Sequence, residues 1–127
     1  MYLTCIIVFR YRLSISIMKH TRSTENSSRQ DLFSGLIRLH VLYHASKEPI
    51  FGLGMIEELA RHGYKISAGT LYPLLHRMQR NGLLRASKEK HGRTSRKLYR
   101  TTHTGNHALR VAKRRVKELF GELFEMD

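Results

Sequence analysis

Residues 67–82 read Ser67-Ala68-Gly69-Thr70-Leu71-Tyr72-Pro73-Leu74-Leu75-His76-Arg77-Met78-Gln79-Arg80-Asn81-Gly82. Leu71, Leu74, Leu75 and Met78 recur at three- and four-residue steps, which marks one face of an α-helix. Tyr72, His76, Arg77 and Arg80 fall on or beside the other face, and Asn81-Gly82 closes the run. The stretch predicts a helix over 67–81, apolar underneath and cationic on top. Its start has two readings. With Ser67 as N-cap, Pro73 sits six residues in and lacks a needed N–H, while Gly69 relieves the clash with the ring. With Thr70 as cap, Pro73 takes the third helical position, where its N–H is spare.

Towards the N-terminus two further amphipathic runs precede this one. Leu53, Ile56, Leu59 and Ala60 share a face of a helix over 53–62, with Glu57, Glu58 and Arg61 pointing away, and Gly63 is suited to end it. Asp31 is a plausible N-cap for a helix over 31–46, whose apolar face carries Leu32, Phe33, Leu36, Leu39, Leu42 and Tyr43. Pro49 stops it. Towards the C-terminus, Leu83–Glu89 and Arg96–Thr101 read as strands joined by Lys90-His91-Gly92-Arg93-Thr94-Ser95. The last run, over Thr104–Met126, places Leu109, Ala112, Val116, Leu119, Leu123 and Met126 at alternating steps of three and four, a heptad seam widened by Val111, Phe120 and Phe124. A helix this rich in phenylalanine needs a partner surface, and a second copy of the chain is the simplest source.

The charge map matches this layout. The 127 residues hold 23 Lys and Arg against 10 Asp and Glu, a formal net charge of +13. Residues 67–104 hold nine of the bases and one acid, whereas residues 31–66 balance at four each. A block so biased predicts an anionic partner, nucleic acid before a membrane surface. Three helices followed by a hairpin define a winged helix-turn-helix plan: mainly α with a small β-hairpin, plus a C-terminal dimerisation helix. The chain divides into an N-terminal arm over 1–30, a DNA-binding domain over 31–103 and a dimerisation helix over 104–127.

Residues 1–18 are apolar but interrupted by Arg10 and Arg12, too short and too charged for a membrane span. The charges follow the apolar run, and no cleavage site is visible, so it does not read as a signal peptide. Two readings stand: Met18 is the true start, or residues 1–17 form a loosely packed arm. Residues 19–30 are expected to be mobile. A single cysteine, Cys5, excludes an internal disulfide framework and a Cys-rich zinc module. His40 and His44 are four apart, as are His103 and His107, but no Cys, Asp or Glu completes either pair at a convincing spacing. Neither a metal site nor a cofactor is expected. Few acids, a cysteine in the arm and no phosphate loop argue against catalysis.

The run Ser67–Met78 resembles the recognition helix of the PadR family of transcriptional regulators. The resemblance covers roughly residues 32–125. It extends to Gly52 before the second helix, to Asn81-Gly82-Leu83-Leu84, to a basic wing at Gly92-Arg93-Thr94-Ser95-Arg96, and to the junction Tyr99-Arg100-Thr101-Thr102-His103-Thr104-Gly105. Leu53 and Gly54 depart from the aromatic and acidic residues common after that first glycine. The single C-terminal helix is similar to the short subgroup.

The resemblance implies a dimeric DNA-binding repressor in a bacterial cytoplasm, with no membrane partner, set on a palindromic operator. Tyr72 then donates its hydroxyl to a phosphate, the alternative being a half-buried ring against the wing. Arg77 and Arg80 contact phosphates or guanine edges, Arg80 alternatively serving as a helix C-terminal cation. His76 contacts the groove or packs beside the wing. Ser67 and Thr70 cap the helix or meet phosphate, and Lys90, Arg93 and Arg96 supply wing contacts. Leu109, Ala112, Val116, Leu119, Phe120, Leu123 and Phe124 form the dimer seam. A second reading makes the chain a ligand-sensing dimer, in which a small-molecule inducer is the main event and DNA release the readout. A third, an RNA-binding module, lacks the exposed aromatic sheet that single-strand stacking needs.

Overall fold

The computed structural model describes residues 21–125, with side chains from residue 31. The expectations for residues 1–18, and for Met126 in the seam, lie outside the described residues. Among the described residues six elements succeed one another: α1 (Thr21–Lys47), α2 (Gly52–Arg61), α3 (Ala68–Arg80), β1 (Leu84–His91), β2 (Thr94–Thr101) and α4 (His103–Leu123). The chain groups into two compact units that divide between Ser34 and Gly35, inside α1. The hydrophobic core, α2, α3, the hairpin and α4 all belong to the unit from Gly35 onward.

Helix α1 is described from Thr21, ten residues before the expected cap at Asp31. The polar stretch Thr21–Gln30, expected to be mobile, is helical. It contains no glycine or proline, so nothing in it stops a helix from extending backwards. The buried face of α1 also differs from expectation. Val41, Leu42 and Ala45 enter the core, whereas Leu32, Phe33, Leu36 and Tyr43 are exposed. The helix carries two apolar stripes, and among the described residues only one of them is covered.

Helix α2 is turned in the same sense. Met55 and Leu59 are buried, Ile56 is half-buried, and Leu53 and Ala60 face solvent. The rotation follows from Gly52, where a Cβ would lie 2.6 Å from the ring of Tyr72, so the bare backbone at the start of α2 is what α3 packs against. Helices α2 and α3 both end with glycine in the left-handed region, Gly63 at φ 84° and Gly82 at φ 76°. In each case two backbone N–H groups reach back to the last turn: Tyr64 to Leu59 and Gly63 to Ala60, then Leu83 to Met78 and Gly82 to Gln79.

The start of α3 is resolved in favour of Ser67. The Thr70 and Leu71 N–H groups both donate to the Ser67 carbonyl, at 3.1 and 2.9 Å, and Pro73 lies inside the helix. Pro73 has no N–H to donate to the Gly69 carbonyl, and a Cβ at Gly69 would meet only the Ser67 hydroxyl, at 3.8 Å, so the missing side chain there is not what accommodates the ring. Leu71, Leu74, Leu75 and Met78 are all buried, as their spacing predicts.

Strands β1 and β2 pair antiparallel from Leu84↔Thr101 to His91↔Thr94, leaving only Gly92 and Arg93 as the turn. The hairpin is longer and its tip shorter than the sequence predicts. Lys90 stands in the ladder, opposite Ser95, and not in the loop, while Arg96 stands in its predicted strand, opposite Glu89. A third extended piece is added at Ile50, which exchanges both backbone hydrogen bonds with Tyr99 at 2.9 and 2.8 Å. Leu84 and Tyr99 close the core beneath α3.

Helix α4 is capped by Thr102, whose Oγ1 accepts from the Gly105 N–H at 2.9 Å and donates to the Gly82 carbonyl. Gly105 lies directly on the Leu83 carbonyl, with no room there for a Cβ. The threonine and glycine of the junction are thus a cap and a backbone crossing, and they fix where α4 leaves the domain. Only Gly105 and Leu109 of α4 are buried. No described helix is long and apolar enough to cross a membrane.

Candidate nucleic-acid interface

Each residue predicted on the upper side of α3 is exposed: Ser67, Thr70, Tyr72, His76, Arg77 and Arg80. The element holds no acid. Ser67 makes no side-chain cap; its hydroxyl lies 3.2 Å from the Thr70 hydroxyl instead, so both sit at the surface where the helix begins. Tyr72 is 43% exposed and its ring rests on Gly52, at the start of α2. The lack of a side chain at 52 lets the ring lie against the backbone while its edge stays in water.

The wing residues are unlike one another. Arg93 stands at the turn and Lys90 in the ladder beside it, both exposed. Arg96 is half-buried and doubly held: its Nε lies 3.0 Å from Glu89 Oε2, and its guanidinium stacks 4.2 Å from the centre of the Phe51 ring. Phe51 in turn covers Gly54, where a Cβ would meet the ring at 2.9 Å. The departure at Gly54 therefore makes room for an aromatic platform under Arg96. Each contact on this partly exposed side chain contributes about 0.5–1 kcal/mol, enough to fix its direction without cancelling its charge.

The strand register adds cations that sequence spacing alone does not single out. Arg85 stands opposite Arg100, and Lys88 opposite Lys97. Directly opposed like charges on one face of a hairpin destabilise it unless an anion lies nearby. Lys97 finds partial relief with its ammonium 5.4 Å from the centre of the Tyr99 ring, and Arg85 and Arg100 are exposed. The signal in the sequence was the pairing itself, which depends on a two-residue turn.

A second surface, between α1 and α4, is apolar. An open groove of about 590 Å3 runs between α1 and α4, lined by Leu36, Leu39 and Tyr43 and by Leu109, Val116 and Phe120. Of the predicted dimer seam, Leu109 is buried, Ala112 is half-buried, and Val116, Leu119, Phe120, Leu123 and Phe124 are between 42 and 66% exposed. At one end of the groove lie His40, His44 and His62. Burial, and after it the neighbouring charges of His62 and His44, lowers the His40 pKa below the ordinary histidine value, against the opposing pull of Glu58.

The profile of the PadR-like family of transcriptional regulators matches residues 41–111. The chain is 41% identical over 87 residues to transcriptional regulator Rv3488 of Mycobacterium tuberculosis (strain ATCC 25618 / H37Rv), covering 68% of this chain and 81% of that protein. Its fold is similar to the crystal structure of a PadR family transcriptional regulator from Eggerthella lenta DSM 2243, with a TM-score of 0.67 at 34% identity over 83% of this chain and 96% of that one. A PadR-like transcriptional regulator from Bacillus cereus strain ATCC 14579 gives a TM-score of 0.65 at 27% identity, over 76% and 99% of the two chains. The match spans helices α2 and α3, the hairpin, and parts of α1 and α4, so the chain belongs to the PadR-like family of transcriptional regulators and is a regulator, not an enzyme.

Proposed function

We propose that this regulator binds duplex DNA as a homodimer, in the cytoplasm, and represses transcription from a palindromic operator. The observation that carries the reading is the two-sidedness of α3. Leu71, Leu74, Leu75 and Met78 are buried, while Ser67, Thr70, Tyr72, His76, Arg77 and Arg80 are exposed with no acid among them. A single helix fits the major groove, about 12 Å wide. The wing, with Lys90, Arg93 and Arg96, then lies over the flanking backbone, and a phosphate between Arg85 and Arg100 relieves their mutual repulsion.

Two copies joined along the exposed seam of α4, from Val116 to Phe124, bury phenylalanines that one copy leaves in water. A two-fold axis there presents two α3 helices to two half-sites. Selection from a random DNA pool, followed by a mobility-shift titration, tests the reading. The expected result is a palindromic consensus whose affinity falls steeply with salt. Equal affinity for random DNA would remove sequence specificity. A reporter driven from the selected site gives the sign of regulation.

The groove between α1 and α4 supports a second reading, in which a small apolar inducer binds there and DNA release is the readout. Its rim carries Lys113 and Lys117, which suit an anionic group on such a ligand. Thermal-shift screening with phenolic compounds tests it.

A further inference from the structure

The histidines of α1 and α2 converge although the sequence separates them. His40 and His44 are one turn apart on α1, their rings stacked with centroids 6.4 Å apart and planes within 12°. His62, at the end of α2, brings its ring to 4.7 Å from that of His40. One ring nitrogen from each of the three lies within 4.8 Å of the others. Glu58 joins from the same helix as His62, its Oε1 3.6 Å from His44 Nε2 and 3.4 Å from His62 Nε2. Its other oxygen accepts from Arg61 at 2.8 Å, which fixes the carboxylate with Oε1 turned to the imidazoles.

These separations distinguish two uses of the cluster. A histidine bonded to a carboxylate brings nitrogen and oxygen to about 2.7–2.9 Å, and neither contact is that short. Two donors bound to one tetrahedral ion at about 2.05 Å stand about 3.3 Å apart, close to the spacing of Glu58 with its two histidines. The three imidazole nitrogens, within 4.8 Å of one another, must close by up to about 1.5 Å to reach that spacing, and their rings are exposed or half-buried.

We infer that His40, His44 and His62, with the Glu58 carboxylate as fourth donor, bind a divalent first-row transition ion of the zinc class. Three imidazoles and one carboxylate, with no sulfur among the described donors, form a borderline nitrogen and oxygen set that favours zinc, nickel or copper over magnesium or calcium. The exposure of His62 leaves the ion a path from solvent. The ion joins α1 to α2 at the end of the apolar groove. The inference stands independently of DNA binding and is read without DNA.

Titration of the full metal-free chain with Zn2+, in competition with a chromophoric chelator, tests it. One ion binds per chain, and Zn2+ raises the melting temperature. Substituting His40→Ala with His62→Ala weakens binding by about a hundredfold and abolishes the thermal shift, two ligands of four being lost. A His103→Ala/His107→Ala variant, which removes the other pair spaced by four, binds as the unaltered chain does. Co2+ in place of Zn2+ gives visible bands that the first variant loses. Should the double variant fail to fold by circular dichroism, His62→Ala alone carries the same readout, since that side chain is nearly half exposed. Zinc affinity equal in the unaltered chain and the His40/His62 variant, or lost on changing His103 and His107, overturns the site.

Discussion

In α3 the four stripe residues Leu71, Leu74, Leu75 and Met78 are 0–4% exposed, whereas in α4 Val116, Leu119, Phe120, Leu123 and Phe124 are 42–66% exposed. Both helices are amphipathic by the same rule. The difference is what the chain supplies opposite them. Helix α3 sits between α2 and β1 and is covered on its whole apolar side. Helix α4, at 21 residues and about 31 Å, buries only Gly105 and Leu109 near its start, and among the described residues it shares an open groove with the second stripe of α1. Amphipathic spacing establishes that a helix has an inner side; it does not say whether its own chain provides the cover.

The largest effect is expected at the sealed helix. Leu75→Ala opens a cavity where no solvent reaches and is expected to lower stability by about 2–5 kcal/mol, measured by urea unfolding. The open helix should answer differently. Leu119→Glu with Phe120→Glu leaves the helix content unchanged and weakens self-association by about 2–4 kcal/mol, read as monomer mass in light scattering. A shortened chain tests the same point only if the cut falls beyond Leu109, because that residue belongs to the core.

Gly52→Ala probes how α3 is presented. The new Cβ pushes the Tyr72 ring off α2, at an expected cost of about 1–3 kcal/mol in stability, and Tyr72→Ala in the same chain restores most of it. At the charged surface, Arg77→Ala should reduce the slope of log affinity against log salt by about one unit, with a loss of about 1 kcal/mol in DNA binding. Glu89→Gln removes the negative charge beside Arg96 while its stacking on Phe51 remains, and should strengthen DNA binding slightly in a mobility-shift titration. The smallest effect is expected at Arg61→Ala, an exposed ion pair with Glu58, at under about 0.5 kcal/mol in stability.

The buried side of α3 was legible because its four residues repeat at helical spacing and have no competing stripe. The inward sides of α1 and α2 were not. Each offers more apolar residues than the core accepts, so spacing alone cannot separate Val41 and Ala45 from Leu36 and Tyr43, or Met55 from Leu53. The wing was legible as a basic hairpin, but not its register. A two-residue turn put Arg96 beside Glu89 and Phe51, and set Arg85 against Arg100. The histidine cluster shows the limit most clearly: His40 and His44 are visible as a pair, while His62 and Glu58 reach them from another helix.

From its sequence alone this chain was bound to form three helices, a hairpin and a long final helix, with its positive charge gathered on the third helix and the wing. Periodicity, glycine stops and charge are local quantities, read within one turn or one strand. Packing decided which stripe of α1 faces inward, which cations stand free and which are held, and that three imidazoles from α1 and the end of α2 gather beside the Glu58 carboxylate. Those outcomes depend on distances between residues far apart in the chain, and such distances exist only once the helices have docked.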